Sequence, residues 1–178
     1  GEACVTQGLD VVLVHGAGSF GHLKAKGYRV AEGRLPKDSV PQSMTQDEAL
    51  QAVRDDMQEL NQHVLEALTK YDVSAVSLPP HLWARNTGLD FEGDLAMFDA
   101  APRGFVVVTH GDVVECDLPG EFGILSGDDL VYRLSTELTG VQRLVFAMGG
   151  VEGVLSEPPN GENDEAKLID EMHRNDVY

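Results

Sequence analysis

Short apolar runs alternate with longer amphipathic segments along the chain. Residues 9–14 (LDVVLV) are rich in valine and end at His15 and Gly16, a pattern typical of a strand buried in a parallel sheet. The same reasoning predicts further strands at residues 73–78, 105–109 and 144–148, and a β-hairpin at residues 113–116 and 122–125, which a Pro-Gly turn separates.

The longest amphipathic segment covers residues 45–70. Thr45 followed by Glu48 is a capping box, and apolar residues then recur at steps of three and four, which predicts a long helix with one buried face. Two more helices are predicted, one that ends near residue 138 with Ser126 and Asp129 as candidate caps, and a short one at residues 166–173. Loops are predicted at the proline-containing residues 30–44 and the polar residues 157–165.

Strands that alternate with helices predict an α/β fold, a sandwich with a mostly parallel sheet. At 178 residues the chain is long enough to bury a core without disulfides or a structural metal. We therefore expect a single domain over residues 1–178.

The net charge of the chain disfavours two classes of partner. Thirty acidic and thirteen basic residues give a net charge of -17, and such a surface repels nucleic acids and anionic membranes. No apolar run has the length of a membrane span. Cys4 and Cys116 show no redox or metal-binding spacing, which favours a reducing, cytoplasmic setting; we predict no protein-bound metal site.

The acidic residues are unevenly distributed. Residues 11–31 contain none, and five of the thirteen basic residues, namely Lys24, Lys26, Arg29, Arg34 and Lys37, fall between positions 24 and 37. A local cationic patch on an anionic protein favours a site for a small anion.

Residues 16–21 (GAGSFG) form a glycine-rich turn directly after the first strand. The pattern G-x-G-x-x-G is a weak dinucleotide signal, and a Rossmann unit needs a strand with an acidic residue about 20 positions later, where this chain has the proline loop. The backbone N–H groups of such a turn nevertheless form an anion receptor. His22, one helical turn further, either donates to the same anion or merely caps or packs.

The string VHGAGSFGH at residues 14–22 closely resembles the phosphate-binding turn of isopentenyl phosphate kinases, which are members of the amino acid kinase superfamily. Three later segments resemble further signatures of that family in the same order: HGDVV at 110–114, ILSGDDLV at 124–131 and VFAMGGVEGV at 145–154. The resemblance implies a three-layer αβα sandwich and a homodimer.

The resemblance also implies roles for individual residues. The phosphate of isopentenyl phosphate would be held by Gly16, by the backbone of Ala17, by the side chain of His22 and by Gly127. Gly18, Gly149 and Gly150 would contact ATP, and Asp128 would orient catalytic lysines. From the residues alone, Asp128 and Asp129 are equally well explained as favourable charges in a first helical turn. Candidates for a pocket around the five-carbon tail, or for plain core, are Tyr28, Leu78, Leu82 and Trp83.

The implied reaction transfers the γ-phosphoryl group of ATP, with Mg²⁺, to isopentenyl phosphate and yields isopentenyl diphosphate for isoprenoid synthesis.

Family members also carry lysines on a first strand and in a final nucleotide-binding segment. This chain has neither, so we expect it to be an interior piece of the fold. Gly149 and Gly150 also replace a common threonine and aspartate. Two alternatives stay open: a related kinase such as a fosfomycin kinase, and a non-catalytic phosphate or nucleotide sensor.

Overall fold

A computed structural model describes residues 8–41, 43–147, 149, 153–157 and 167–171. The chain divides into two compact units, Gly1–Val141 and Gln142–Tyr178. In the described residues, no helix is both long and apolar enough to cross a membrane.

Two small sheets form the framework of the first unit. Strands β1 (Val11–His15), β2 (Ala75–Ser77) and β5 (Val106–His110) form a parallel sheet in the order β1-β5-β2. A second sheet has the order β4-β3-β6-β7, with β3 at Ala84–Arg85, β4 at Glu92–Gly93, β6 at Asp112–Glu115 and β7 at Phe122–Leu125. Strands β6 and β7 are the predicted antiparallel hairpin.

Helices cover both faces of the parallel sheet. The part of the chain that the structure describes contains four α-helices, α1 (Gly18–Gly27), α2 (Gln46–Lys70), α3 (Ala96–Asp99) and α4 (Gly127–Glu137). Val106 and Val108 of β5 pack on one face against the apolar side of α2. Val107 points to the other face and packs in a cluster with Leu130 and Leu134 of α4, because successive side chains of a strand alternate between faces. The predicted αβα sandwich is confirmed.

Both predicted helix starts are confirmed in detail. The Thr45 hydroxyl accepts a hydrogen bond of 3.2 Å from the N–H of Glu48, whose carboxylate accepts one of 2.7 Å from the N–H of Thr45. At α4 the cap is Ser126, which accepts a 3.0 Å hydrogen bond from the N–H of Asp129. Asp129 is therefore the partner of the cap and not a second cap.

The proline loop is confirmed as well and contains only short 3₁₀ turns at Val30–Glu32 and Lys37–Ser39, with Gln42 outside the described residues. It is held in place from two sides. The N–H of Arg34 donates to the carbonyl of Gly120 at 2.8 Å. The buried side chain of Gln46 donates to the carbonyls of Tyr28 and Gly33.

Two predictions in the second unit are wrong. Residues 144–147 form no strand, and the large side chains of Leu144, Val145 and Phe146 are exposed; position 148 lies outside the described residues. An apolar run forms a strand only where a neighbouring strand pairs with it, and the described residues provide none here.

The predicted helix at 166–173 is contradicted at residues 167–171. Leu168 instead forms an antiparallel bridge with Leu155, supported by a hydrogen bond from the N–H of Ile169 to the carbonyl of Val154 at 2.8 Å. Helix propensity contributes less than 1 kcal/mol per residue, so pairing with another segment overrides it. Of the predicted polar loop at 157–165, only residue 157 is described.

Candidate functional site

Three turns converge at the carboxyl edge of the parallel sheet. β1 and β5 end side by side at His15 and His110, and the N–H of Gly111 donates to the carbonyl of His15 at 3.1 Å. Gly127, the first residue of α4, lies at the same place, since a Cβ built on it would be 3.7 Å from the His15 carbonyl oxygen. In open α/β sheets this edge is where ligands bind.

The glycine turn presents unpaired donors at this edge. Ala17 precedes α1 and makes no side-chain cap, and within the described ranges the N–H groups of Ala17 and Gly18 have no hydrogen-bond partner. Gly18 has a φ of +52°, and a Cβ built on Gly16 or Gly18 would meet nothing within 4 Å. Free amides at a helix start beside open space are suited to binding an anion.

His22 lies on the second turn of α1, where a helical side chain leans back toward the first turn. Its side chain is exposed, and it makes no hydrogen bond or ion pair with any residue that the structure describes. The alternative that His22 only caps the helix or packs in the core is therefore wrong. The imidazole is available to a ligand.

The predicted cationic patch carries less free charge than expected. Lys24 forms an ion pair with Asp56 of α2 at 2.6 Å. Arg29 pairs with Glu32, and Arg34 pairs with Asp47 and Glu121. Apart from Glu32, these acidic partners lie more than ten positions away in the sequence, so the local charge pattern did not reveal the ion pairs. Lys24, Arg29 and Arg34 are therefore paired with carboxylates, whereas the N–H groups of the turn and the imidazole of His22 have no partner among the described residues.

Asp128 and Asp129 occupy the first turn of α4 but differ in environment. Asp128 is exposed, with no side-chain hydrogen bond or ion pair to a described residue. Asp129 is half-buried, and its N–H is used by the Ser126 cap. Of the two carboxylates, Asp128 is thus the one that faces solvent next to Gly127.

Gly149 is exposed, with no atom within 4 Å of a Cβ built on it, and Gly150 lies outside the described residues. Both belong to the second unit, and their predicted contact with ATP stays a prediction.

Most of the residues predicted to line a pocket for the five-carbon tail belong to the hydrophobic core. Tyr28 is buried, with its hydroxyl 2.5 Å from the Ser43 hydroxyl. Trp83 packs edge-on against Phe91 and Phe98 and donates to the carbonyl of Leu78 at 3.2 Å. Leu82 is exposed. Two surface grooves run along α2 and β2, lined by residues such as Leu65, Thr69 and Ala75, and neither is lined by residues of the glycine turn.

Sequence reasoning missed a group of histidines beneath the turn. The rings of His15 and His110 lie 5.0 Å apart between centroids. His81 lies 2.6 Å from the buried carboxylate of Asp112. The signal was present, because the dipeptide His-Gly follows both apolar strands, at 15–16 and at 110–111.

Burial affects the ionisation of the histidine at the end of β5. His110 is almost fully buried, and burial lowers its pKa, while the hydrogen bond to the Gly111 carbonyl and the charge of Asp112 oppose the shift less strongly. The surroundings of His110 therefore disfavour its charged form.

The model of the amino acid kinase family matches residues 2–178. The isopentenyl phosphate kinase of Methanocaldococcus jannaschii is 31% identical over 176 residues, which are 96% of this chain and 59% of that protein. That of Thermoplasma acidophilum is also 31% identical, over 98% of this chain and 66% of its own length. The chain thus spans less than two thirds of these two relatives.

Solved structures of isopentenyl phosphate kinases are also similar to this chain. A structure described as isopentenyl phosphate kinase superposes with a TM-score of 0.81 at 28% identity, covering 95% of this chain and 67% of the other. A substrate complex of isopentenyl phosphate kinase superposes with a TM-score of 0.69 at 31% identity, covering 94% of this chain and 65% of the other.

Proposed function

The chain belongs to the amino acid kinase family, and we propose that it is part of an isopentenyl phosphate kinase. The proposed reaction transfers the γ-phosphoryl group of ATP to isopentenyl phosphate and yields isopentenyl diphosphate. The observation that carries this proposal is the pair of unpaired N–H groups at Ala17 and Gly18, which lie at the carboxyl edge of the sheet beside open space at Gly16 and Gly18. The exposed imidazole of His22 on the next helical turn, and the start of α4 at Gly127 near the His15 carbonyl, support it.

Each residue of this site has a role in the proposal. The absence of side chains at Gly16 and Gly127 lets the phosphate of isopentenyl phosphate approach the backbone. The N–H of Ala17 and the imidazole of His22 donate to its oxygens and fix the acceptor oxygen. Gly18 approaches the phosphates of ATP, and Asp128 contributes its free carboxylate to the arrangement of catalytic lysines. Gly149 and Gly150 are proposed to contact the nucleotide.

The chemistry needs little more from this part of the protein. Phosphoryl transfer depends on alignment of the two phosphates and on stabilisation of the charge that spreads over the transferred group. Oriented N–H groups perform both tasks without a covalent intermediate. Helix starts such as those of α1 and α4 add a partial positive charge on the same side.

ATP is proposed to bind with Mg²⁺ on its phosphates. In nucleotide sites, phosphates and waters supply most of the oxygens that Mg²⁺ requires, so the protein adds few ligands. Mg²⁺ would supply charge neutralisation between the two anionic substrates.

The proposal has three further parts. They are a homodimer, a cytoplasmic location and a single kinase-like domain over residues 1–178.

The test is a coupled assay of the full-length protein with ATP, Mg²⁺ and isopentenyl phosphate. We expect turnover, and we expect His22→Ala to reduce kcat/KM about 100-fold, since one oriented donor to a reacting charged group is lost. His63→Ala is the matched control, because His63 is also exposed on a helix but lies on α2.

Two outcomes would contradict the proposal. If fosfomycin is phosphorylated and isopentenyl phosphate is not, the acceptor is wrong. If neither is phosphorylated while phosphate still binds, the chain is part of a sensor. Equal activity of His22→Ala and His63→Ala would remove His22 from the site.

A further inference from the structure

The two His-Gly dipeptides adopt the same local arrangement. Nδ1 of His15 lies 3.0 Å from the carbonyl oxygen of Gly16, and Nδ1 of His110 lies 3.0 Å from that of Gly111. Each ring thus turns back onto the carbonyl of the next residue. Since a carbonyl oxygen only accepts hydrogen bonds, Nδ1 is the donor in both cases.

The other ring nitrogen of His15 lies next to a buried polar side chain. Nε2 of His15 lies 3.4 Å from Oδ1 of Asn61, and Nδ2 of Asn61 donates to the hydroxyl of Ser77 at 2.7 Å. In a neutral ring that donates from Nδ1, Nε2 is an acceptor like Oδ1, so this contact adds no hydrogen bond. Asn61 is buried on α2, and Ser77 ends β2. With the tilted ring of His110 at 5.0 Å, these contacts bring the ends of all three parallel strands together around one imidazole.

The direction of the Gly16 carbonyl determines the direction of the next amide. In a planar trans peptide, the C=O of one residue and the N–H of the following residue point in opposite directions. The hydrogen bond from His15 holds the Gly16 carbonyl toward the imidazole, so the N–H of Ala17 points away from the imidazole. Within the described residues, no other hydrogen bond holds the peptide group between residues 16 and 17.

We propose that His15 is a positioning residue of the glycine turn, which aims the N–H of Ala17 at the phosphate by fixing the Gly16 carbonyl. His110 supports it, because its ring contacts that of His15 in a tilted arrangement and the following Gly111 N–H donates to the His15 carbonyl at 3.1 Å. The inference rests on the proposed function in taking that phosphate to be the end of isopentenyl phosphate.

The test compares three substitutions of His15 in the full-length protein. The side chain of His15→Asn retains an N–H donor near the position of Nδ1. His15→Gln places its donor near the position of Nε2, and His15→Phe retains the ring without a donor. We expect the KM for isopentenyl phosphate to rise about tenfold in His15→Phe and His15→Gln, because one oriented donor to a charged group is lost. His15→Asn should restore it to within about threefold of wild type, and the KM for ATP should change by less than about twofold in all three.

A residue that only stabilises the end of β1 would give a different pattern. It would lower the melting temperature and the activity of the variants in parallel, without distinguishing Asn from Gln and without separating the two KM values. Equal KM values for isopentenyl phosphate in His15→Asn and His15→Gln would overturn the proposal. An equal rise in the KM values for isopentenyl phosphate and ATP would overturn it as well.

A binding measurement separates failure of this inference from failure of the proposed function. Inorganic phosphate is titrated into full-length protein labelled with ¹⁵N-alanine, and the amide resonance of Ala17 is followed. If isopentenyl phosphate is not a substrate but phosphate still shifts Ala17 in the wild type and in His15→Asn, and not in His15→Gln, the positioning role holds and the proposed acceptor is wrong. If phosphate leaves Ala17 unshifted in the wild type, or shifts it equally in His15→Gln, the positioning role is overturned.

Discussion

Glycine at positions 16 and 18 does two different things in the turn. Gly18 has a left-handed φ of +52°, a conformation that a side chain disfavours by about 1–2 kcal/mol. Gly16 has no such φ, and a Cβ built on it meets open space. Gly18 is therefore needed for the conformation of the chain, whereas the absence of a side chain at Gly16 serves whatever occupies that space.

Gly16→Ala separates these two functions. We expect the melting temperature to change little, because the new methyl group meets no atom of the protein, and the KM for isopentenyl phosphate to rise about tenfold or more, because the methyl group occupies the place of the phosphate. Kinetics and thermal unfolding on the same preparation measure both. The matched control is Gly27→Ala, at the other end of α1, where a Cβ also meets nothing and the φ is not left-handed.

If Gly16→Ala binds isopentenyl phosphate as tightly as Gly27→Ala does, the space next to Gly16 is not the phosphate site.

Asp128 and Asp129 offer a second matched pair at the residue scale. Both lie in the first turn of α4, where each carboxylate stabilises the helix by about 0.3–1 kcal/mol. Asp128→Asn and Asp129→Asn should therefore lose similar stability. Only Asp128→Asn should lower kcat, by about 100-fold, since its carboxylate is the exposed one. Chemical denaturation and steady-state kinetics measure the two effects.

An unchanged kcat in Asp128→Asn would mean that Asp128 acts only on the helix dipole. An equal loss of kcat in both variants would contradict the assignment of the catalytic role to Asp128 alone.

At the scale of elements, a local sequence pattern predicted a helix or strand correctly where tertiary contacts also stabilise that element. The capping box at Thr45 and Glu48, the Ser126 cap and the valine-rich strands β1 and β5 formed where they were predicted, since each combines a local hydrogen bond or run of valines with a buried face. The predictions at 144–148 and 166–173 had the local signal alone. One apolar run found no strand to pair with, and one helix-forming segment is bridged to Leu155.

The capping box makes one element sensitive to acid. Hydrogen bonds from the N–H and hydroxyl of Thr45 lower the pKa of Glu48 below its ordinary value of 4.5. A carboxylate with a lowered pKa stabilises the fold above about pH 4.5, and this contribution is lost as the pH falls through the folded value. Glu48→Gln retains an acceptor without a titrating proton, so its free energy of unfolding should fall less between pH 7 and pH 3 than that of the wild type.

Urea denaturation at several pH values measures this difference. Glu92→Gln is the control, because Glu92 is exposed and has no side-chain partner among the residues described. A pH dependence of Glu48→Gln as steep as that of the wild type would contradict the capping account.

At the scale of the whole molecule, the site is assembled from distant parts of the chain. The glycine turn and His22 were identifiable from the sequence because they are contiguous at residues 14–22. The meeting of the turn at the end of β1 with Gly111 and Gly127 depends on strand order, which places β1 next to β5, and on the start of α4 near His15. The pairing of Lys24 with Asp56, and of Arg34 with Asp47 and Glu121, had no local signal at all.

The central claim is that the turn after β1 and the imidazole of His22 together hold the phosphate of isopentenyl phosphate. It is tested most directly by a crystal structure of the full-length protein soaked with isopentenyl phosphate. The account predicts phosphate oxygens at about 2.7–3.2 Å from the backbone nitrogen of Ala17 and from an imidazole nitrogen of His22. A phosphate bound elsewhere, with the space beside Gly16 empty, would contradict it.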